Sequence, residues 1–456
     1  MDYTGGSAEA EHLCVLVHGL WGNPNHMVSI AKSLRSQYPA DKLYLLLAKR
    51  NSGSFTYDGI ERGGERVCSE IEEELRLIKA RGGNITKLSI VGYSLGGLVA
   101  RYAVGLLYAK GILDRLECMN FTTFATPHLG VRTPLRGWHN HIWNVLGART
   151  LSASGQQLFT IDKFRNTGQP LLAVLADPNS IFMSGLRKFR RHTLYSNIVN
   201  DRSAVYYTTC ISKTDPYTNL DETSVAYLPG YEDVILDPNT PVRPRPKPSR
   251  QASFASVSAA GVTWLRRIPF LLTVAVLVPV GILFFLVNSF IQNFRSSQRI
   301  RLHEKGLAGV SIGDYRGFPL WINEIRTEME QAYEALNNAQ DQAYLANETD
   351  EDDDKPGSEG DENGADGDCD TMDEASRKLL AHERRMSVPA QPTLALAPYQ
   401  FRMVQSLDSL GWRKYPVWIH QDRHSHAAMI VRWEKKTFAE GKVVLRHWLN
   451  EEFIVY

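Results

Sequence analysis

The sequence predicts an α/β protein with a mostly parallel central sheet covered by helices on both faces. Three observations carry that expectation. Short apolar runs alternate with amphipathic stretches from residue 13 to about 230. One such run leads through a glycine-rich turn around a serine into an apolar helical run. The strand–helix–strand repetition itself implies a parallel sheet with helices on both faces, and the chain shows no internal repeat.

The elements follow in order. Leu13–Leu20, Leu43–Leu47, Leu88–Gly92 and Phe121–Ala125 are short, apolar and rich in β-formers, so each reads as a buried strand. Within residues 64–82, Val67, Ile71, Leu75 and Ile78 recur at helical spacing and mark one face of a helix. Leu194–Val199 reads as a further strand. Residues 128–190 break the rhythm with Trp138, His139, His141 and Trp143, and read as a lid-like insertion over the carboxyl edge of the sheet. Residues 10–236 thus form the first part of the core, followed by a basic Pro/Ser-rich linker over 237–262. An apolar membrane segment is expected over 266–295, bounded by arginines at its ends, and an amphipathic helix over 320–346. An acidic tract at 347–376 is expected to be disordered. Residues 394–456 return to the core with a last strand at Tyr415–Ile419 and a closing helix or hairpin at Lys435–Asn450.

Charge and cysteine content narrow the function. The 456 residues carry a net charge of only +1. From Glu348 to Glu374, however, there are 14 acidic residues and one basic, so the rest of the chain carries +14. Such a surplus suits an anionic lipid surface. No zinc-finger spacing or RNA-binding aromatic motif accompanies it, so no nucleic-acid partner is expected. Five scattered cysteines without a C-x-x-C pair argue against a disulfide framework or a zinc site and fit a reducing compartment. The polar N-terminus does not read as a signal peptide.

The chemistry is concentrated at Gly92-Tyr93-Ser94-Leu95-Gly96-Gly97. The preceding strand and the following Leu98, Val99, Tyr102, Ala103 and Leu106 supply the strand–turn–helix setting that exposes a nucleophilic serine. Ser94 needs two oxyanion donors, and the backbone amides of Leu20 and Leu95 are the candidates. His18 is expected to fix its loop. In this fold an acid and then a histidine follow the serine. Asp201, just past Leu194–Val199, is the candidate acid, with Asp215 and Asp177 in reserve. The candidate base is His426, because small Ala427 and Ala428 let its loop turn into packed structure; His424 is the reserve. No acidic or cysteine partner completes a metal site with His420, His424 and His426, and no cofactor is expected.

At these residues the chain resembles the fungal serine-esterase family of lipase-like α/β-hydrolases, which includes a yeast lipid-droplet phospholipase. The resemblance rests on H-G-L at 18–20, G-Y-S-L-G-G at 92–97, A-T-P-H-L-G at 125–130, S-G-Q-Q-L-F at 154–159 and N-D-R at 200–202. It implies an α/β-hydrolase fold and ester hydrolysis on lipids, carried by Ser94, Asp201 and a late histidine. It also implies a structural role for residues 126–130 at the base of a lid.

The apolar segment must agree with that triad. Ile268–Phe294 holds no charged residue over 27 positions, enough to cross a bilayer as a helix. A crossing would part His426 from Ser94. A re-entrant hairpin would not, and Pro279-Val280-Gly281 falls near the middle with arginines on both flanks. The expectation is therefore a serine hydrolase of lipid esters, anchored by a membrane hairpin (or a helix) on a cytosol-facing surface of a lipid droplet or the endoplasmic reticulum. Phospholipid is the first substrate expected and acylglycerol the second. An acyl-protein thioesterase and a non-catalytic membrane scaffold are the alternatives.

Overall fold

The computed structural model describes residues 3–131, 152–218, 220, 223–244, 287–308, 313–321, 394 and 396–455. Its large sheet is built from β1 (His12–Val17), β2 (Leu43–Leu47), β3 (Lys87–Tyr93), β4 (Glu117–Phe124) and β5 (Arg191–Asn197). Strands β6 (Thr223–Val225) and β7 (Val242–Pro244) pair as a small antiparallel ribbon, and β8 (Arg413–Val417) completes the large sheet. The order is β2-β1-β3-β4-β5-β8, with every neighbouring pair parallel. The expected mostly parallel α/β sheet is thus the one observed. Strand β2 lies on one side of β1, and β3, β4, β5 and β8 lie on the other. This reversal makes the carboxyl ends of β1 and β3 the two walls of a crevice, the usual place for a site in an open α/β sheet.

Strands β1 and β2 read as nearly continuous apolar runs because both faces of the sheet are covered. Leu13, Val15 and Val17 join the core under α2 (Ile60–Ala80) and α3 (Leu95–Ala109). Cys14 and Leu16 point the other way, against Ile30 and Leu34 of α1 (Val28–Gln37) and Val444 of the closing helix Ala439–His447. Helix α2 buries Val67, Ile71 and Ile78 as its spacing predicts.

Several boundaries differ from expectation, each for a physical reason. Strand β1 stops at Val17, and residues 18–20 leave the sheet. Strand β5 begins at Arg191, where polar side chains are held by long-range bonds: Arg191 donates to the Glu451 carbonyl at 2.8 Å, and His192 Nε2 lies 2.8 Å from the Leu186 carbonyl. Strand β8 likewise begins at Arg413, whose Nε donates to Glu452 at 2.8 Å.

Part of the expected lid-like insertion, 128–190, is core instead. The short helices Leu171–Leu175 and Ile181–Arg187 are core: Leu171, Leu172, Phe182 and Leu186 are fully buried. Phe182 sits where Gly105 of α3 leaves no room for a Cβ, with its ring 4.9 Å from that of Tyr102. An apolar stretch that fills the flank of α3 cannot also be a mobile cover. Trp138, His139, His141 and Trp143 lie outside the described residues.

Of the linker, residues 242–244 form the ribbon strand β7, an edge position where proline's missing N–H is tolerated. Residues 245–262, 268–286, 322–346 and the acidic tract lie outside the described residues. Among the described residues no helix is long and apolar enough to cross a membrane. Residues 287–304, which include the end of the apolar segment, are helical. Cys14, Cys68, Cys118 and Cys210 are free and buried.

Several histidines are packed as neutral groups. Burial, reinforced by Lys87, pushes His12 down to about 4. Burial also pushes His447 down to about 4 against the pull of Glu452 and Glu451, with its Nδ1 2.7 Å from the Tyr195 hydroxyl. Unfolded, both would titrate near 6.5. Below that pH the unfolded chain binds protons that the folded chain refuses. Stability is therefore full above about pH 6.5 and declines toward pH 4, by on the order of 3 kcal/mol per group at most. Urea unfolding between pH 7 and 4 should show a falling midpoint, and the fall should be shallower for His447→Phe.

Candidate active site

Strand β3 runs straight into Ser94, and α3 starts at the next residue. Ser94 is held at φ 55° and ψ −129°, a conformation that costs a side-chain-bearing residue about 1–3 kcal/mol. Its surroundings keep it there. The Ser94 amide donates to the Phe124 carbonyl at 2.9 Å, and the Thr126 hydroxyl donates to the Ser94 carbonyl at 2.9 Å. Gly97 gives Thr126 the space to approach. The turn thus aims the Ser94 hydroxyl above the carboxyl ends of the strands.

The acid comes from the loop after β5. Asn200 takes φ 62°, which suits asparagine, and turns the chain into Asp201. The Asp201 carboxylate accepts from the amides of Ser203 at 3.0 Å and Ala204 at 2.9 Å, and from Asn197 Nδ2 at 3.0 Å. Burial alone would raise its pKa. The charge and hydrogen bond of His426, with the Ala204 and Asn197 donors, outweigh burial and hold it below its ordinary value.

The histidine comes from the loop after β8. His426 Nδ1 lies 2.7 Å from Asp201 Oδ2, and Nε2 lies 2.9 Å from Ser94 Oγ. A proton on Nδ1, donated to Asp201, leaves Nε2 free to accept from the serine. The Ser425 hydroxyl donates to the Val199 carbonyl at 3.0 Å and fastens the histidine loop to the aspartate loop. The Tyr93 hydroxyl donates to the His426 carbonyl at 3.1 Å. Buried Ala427 and Ala428 allow the close turn.

The other candidates fall elsewhere. His424 is exposed, with its amide on Asp422 Oδ1 at 2.9 Å. His420 stacks on Trp418 at 4.7 Å and lies 3.3 Å from Glu440. Asp215 accepts from the Tyr217 amide and Asp177 from the Trp321 indole, so neither meets a histidine. Among the described residues no cluster of His, Cys, Asp or Glu is arranged to hold a metal ion.

Leu20 and Leu95 flank the serine. A Cβ on Gly19 would stand 2.8 Å from Ser94 Cβ, so only glycine lets the Gly19–Leu20 peptide lie against the nucleophile. The Leu95 amide is the first of α3, where helix amides lack internal partners and favour negative charge. His18 Nδ1 lies 3.1 Å from the Gly19 carbonyl, and burial lowers its pKa, as expected of a residue that fixes its loop.

Residues 126–130 are buttress more than lid base. Thr126 holds the elbow, and buried His128 lies 3.0 Å from Thr123 Oγ1 while its carbonyl accepts from Arg101 at 3.3 Å. Asn197, Thr126 and Ser425 were not singled out from sequence. The Asn197–Asp201 spacing of four was a visible sign, whereas the other two contacts depend on neighbouring strands.

Part of the chain resembles known proteins. Residues 7–214 match the family described as "Putative serine esterase (DUF676)", the part of the chain in which the quoted motifs lie. "Putative lipase ROG1" of Saccharomyces cerevisiae is 30% identical over 204 residues, covering 43% of this chain and 28% of that protein. "Putative lipase C4A8.10" of Schizosaccharomyces pombe is 27% identical over 208 residues, covering 44% of this chain and 26% of that protein. The chain thus spans under a third of the length of these two relatives. A lipase-esterase related protein from Clostridium acetobutylicum overlaps 45% of this chain and 82% of its own at 11% identity and a TM-score of 0.27. The fold assignment rests on the sheet order and the site, not on that overlap.

Asp201→Asn should keep the fold but present the wrong donor to His426. Turnover of p-nitrophenyl butyrate should fall by roughly three to four orders of magnitude with an unchanged thermal unfolding curve.

Proposed function

We propose that the protein is a serine hydrolase that cleaves acyl esters of lipids. The observation that carries this reading is the unbroken relay from Asp201 through His426 to Ser94, at 2.7 and 2.9 Å. Ser94 Oγ attacks the acyl carbonyl as His426 Nε2 takes its proton. The Leu20 and Leu95 amides stabilise the oxyanion, and Asp201 stabilises the imidazolium. His426 returns the proton to the leaving alcohol. Water then attacks the acyl-enzyme, again with His426 as base. The three side chains and two amides supply every step, so the mechanism needs no metal or organic cofactor.

The family and the lipase names of its relatives support an ester substrate with an acyl chain. The +14 surplus outside the acidic tract favours phospholipid over acylglycerol, since a cationic surface gathers anionic headgroups. The uncharged run 268–294 favours a membrane or lipid-droplet surface. Because Ser94 and His426 flank that run, both of its ends belong on one side, which favours a cytosol-facing hairpin.

Fatty-acid release from phosphatidylcholine vesicles and from diacylglycerol emulsions should be compared for the full chain and Ser94→Ala. Release should fall by roughly 10³-fold or more in the variant. Equal release by both proteins contradicts the proposal.

A further inference from the structure

Helix 287–304 is turned inside out. At about 100° per residue, Ser289, Ser296 and His303 fall on one face, and all three are buried. The opposite face carries Val287, Phe290, Ile291 and Phe294, of which Phe290 and Phe294 are 74% and 61% exposed. An ordinary surface helix does the reverse, with apolar residues inward and polar residues outward.

The polar face is latched to the catalytic domain. Asp58 is fully buried and accepts from the Ser296 hydroxyl at 2.7 Å, Arg299 Nη2 at 2.9 Å and Arg66 Nη2 at 2.7 Å. His303 Nε2 lies 2.6 Å from Glu65 Oε2, with both side chains out of solvent. Arg299 also donates to the Ser54 carbonyl at 2.8 Å and stands 5.1 Å over the Phe55 ring. The next residue in that turn, Thr56, accepts from the Trp21 amide at 3.0 Å, and the Trp21 indole donates to Tyr57 at 2.7 Å. Trp21 is 51% exposed and follows the Gly19–Leu20 peptide that lies against Ser94. The helix is therefore fastened to the rim of the catalytic crevice.

We infer that the face of Val287, Phe290, Ile291 and Phe294 is seated in a lipid surface and holds the mouth of the Ser94 site against it. Two features select lipid as the occupant. The four side chains are the last part of the uncharged run that begins at Ile268, so the face continues a segment whose composition already matches hydrocarbon. The same outward face then changes character: beyond Phe294 it carries Gln298 and Arg301, with Arg295 at the boundary. Apolar side chains in the acyl layer and arginines at headgroup level are the pattern of an interfacial helix on an anionic surface. The inference uses the lipid-ester reading for its purpose, delivery of substrate to Ser94, but the contact itself stands on the helix.

The test uses the full chain with Cys369→Ser, which leaves only buried native thiols. Cysteine placed by Phe290→Cys, Phe294→Cys or Gln298→Cys carries an environment-sensitive fluorophore. The proteins are reconstituted with vesicles of phosphatidylcholine and phosphatidylserine. Labels at 290 and 294 should shift to shorter wavelength and be quenched several-fold more by lipid-borne nitroxides than by aqueous iodide. The label at 298 should show the reverse. Iodide access to all three sites in the presence of vesicles overturns the inference. So does shielding without vesicles that grows with protein concentration, because a second copy then covers the face. Turnover of p-nitrophenyl butyrate by the unlabelled chain is measured in parallel. Lipid contact without turnover leaves the surface standing and removes the esterase reading; turnover without lipid contact does the opposite.

Discussion

One imidazole with two partners is the constraint that the rest of this structure serves. His426 meets Asp201 across 225 positions of sequence and Ser94 across 332. The sheet makes these separations short in space. Strand β8 pairs with β5 so that Val417 lies opposite Asn197, and the two strands release their loops side by side. Ser425 then ties the loops together through the Val199 carbonyl. What the chain cannot tolerate is a shift of β8 relative to β5, which would withdraw the base from both partners.

The site holds two unfavourable features and offsets both through its neighbours. Ser94 has a left-handed backbone, secured by the Phe124 carbonyl, the Thr126 hydroxyl and glycines that admit close contact. Asp201 is a buried carboxylate, and three donors plus the adjacent imidazole keep it ionised. Strain and buried charge meet at one point, where the partly exposed Ser94 hydroxyl is hydrogen-bonded to an imidazole, the setting that suits a nucleophile near neutral pH. The second polar concentration, around Asp58 and Glu65, contributes differently. It fixes the turn at residues 53–58, on which the Trp21 loop and helix 287–304 both rest.

Much of this was legible in the sequence because it is local. The elbow announces itself by a strand, small residues and an apolar helix in immediate succession, and the Asn-Asp turn follows its strand directly. Ala427 and Ala428 separated His426 from His424, and buried Ala428 shows why: the turn packs where larger side chains would clash. The misread parts depend on remote contacts. Arg191 and Arg413 start strands because the distant Glu451 and Glu452 receive their side chains. Residues 171–187 read as cover because nothing near them in sequence reveals that Phe182 fits against Gly105. The inward serines of helix 287–304 acquire meaning only beside Asp58.

The assignment of the proton carrier is tested most directly by phosphonylation kinetics. The full chain, His424→Ala and His426→Ala are each reacted with a fluorophosphonate, and the modified peptide is located by mass spectrometry. The account predicts a single adduct on Ser94, formed at the unaltered rate in His424→Ala and at least about a hundredfold more slowly in His426→Ala. Rapid modification of Ser94 in His426→Ala, or loss of it in His424→Ala, would contradict the relay on which everything else rests.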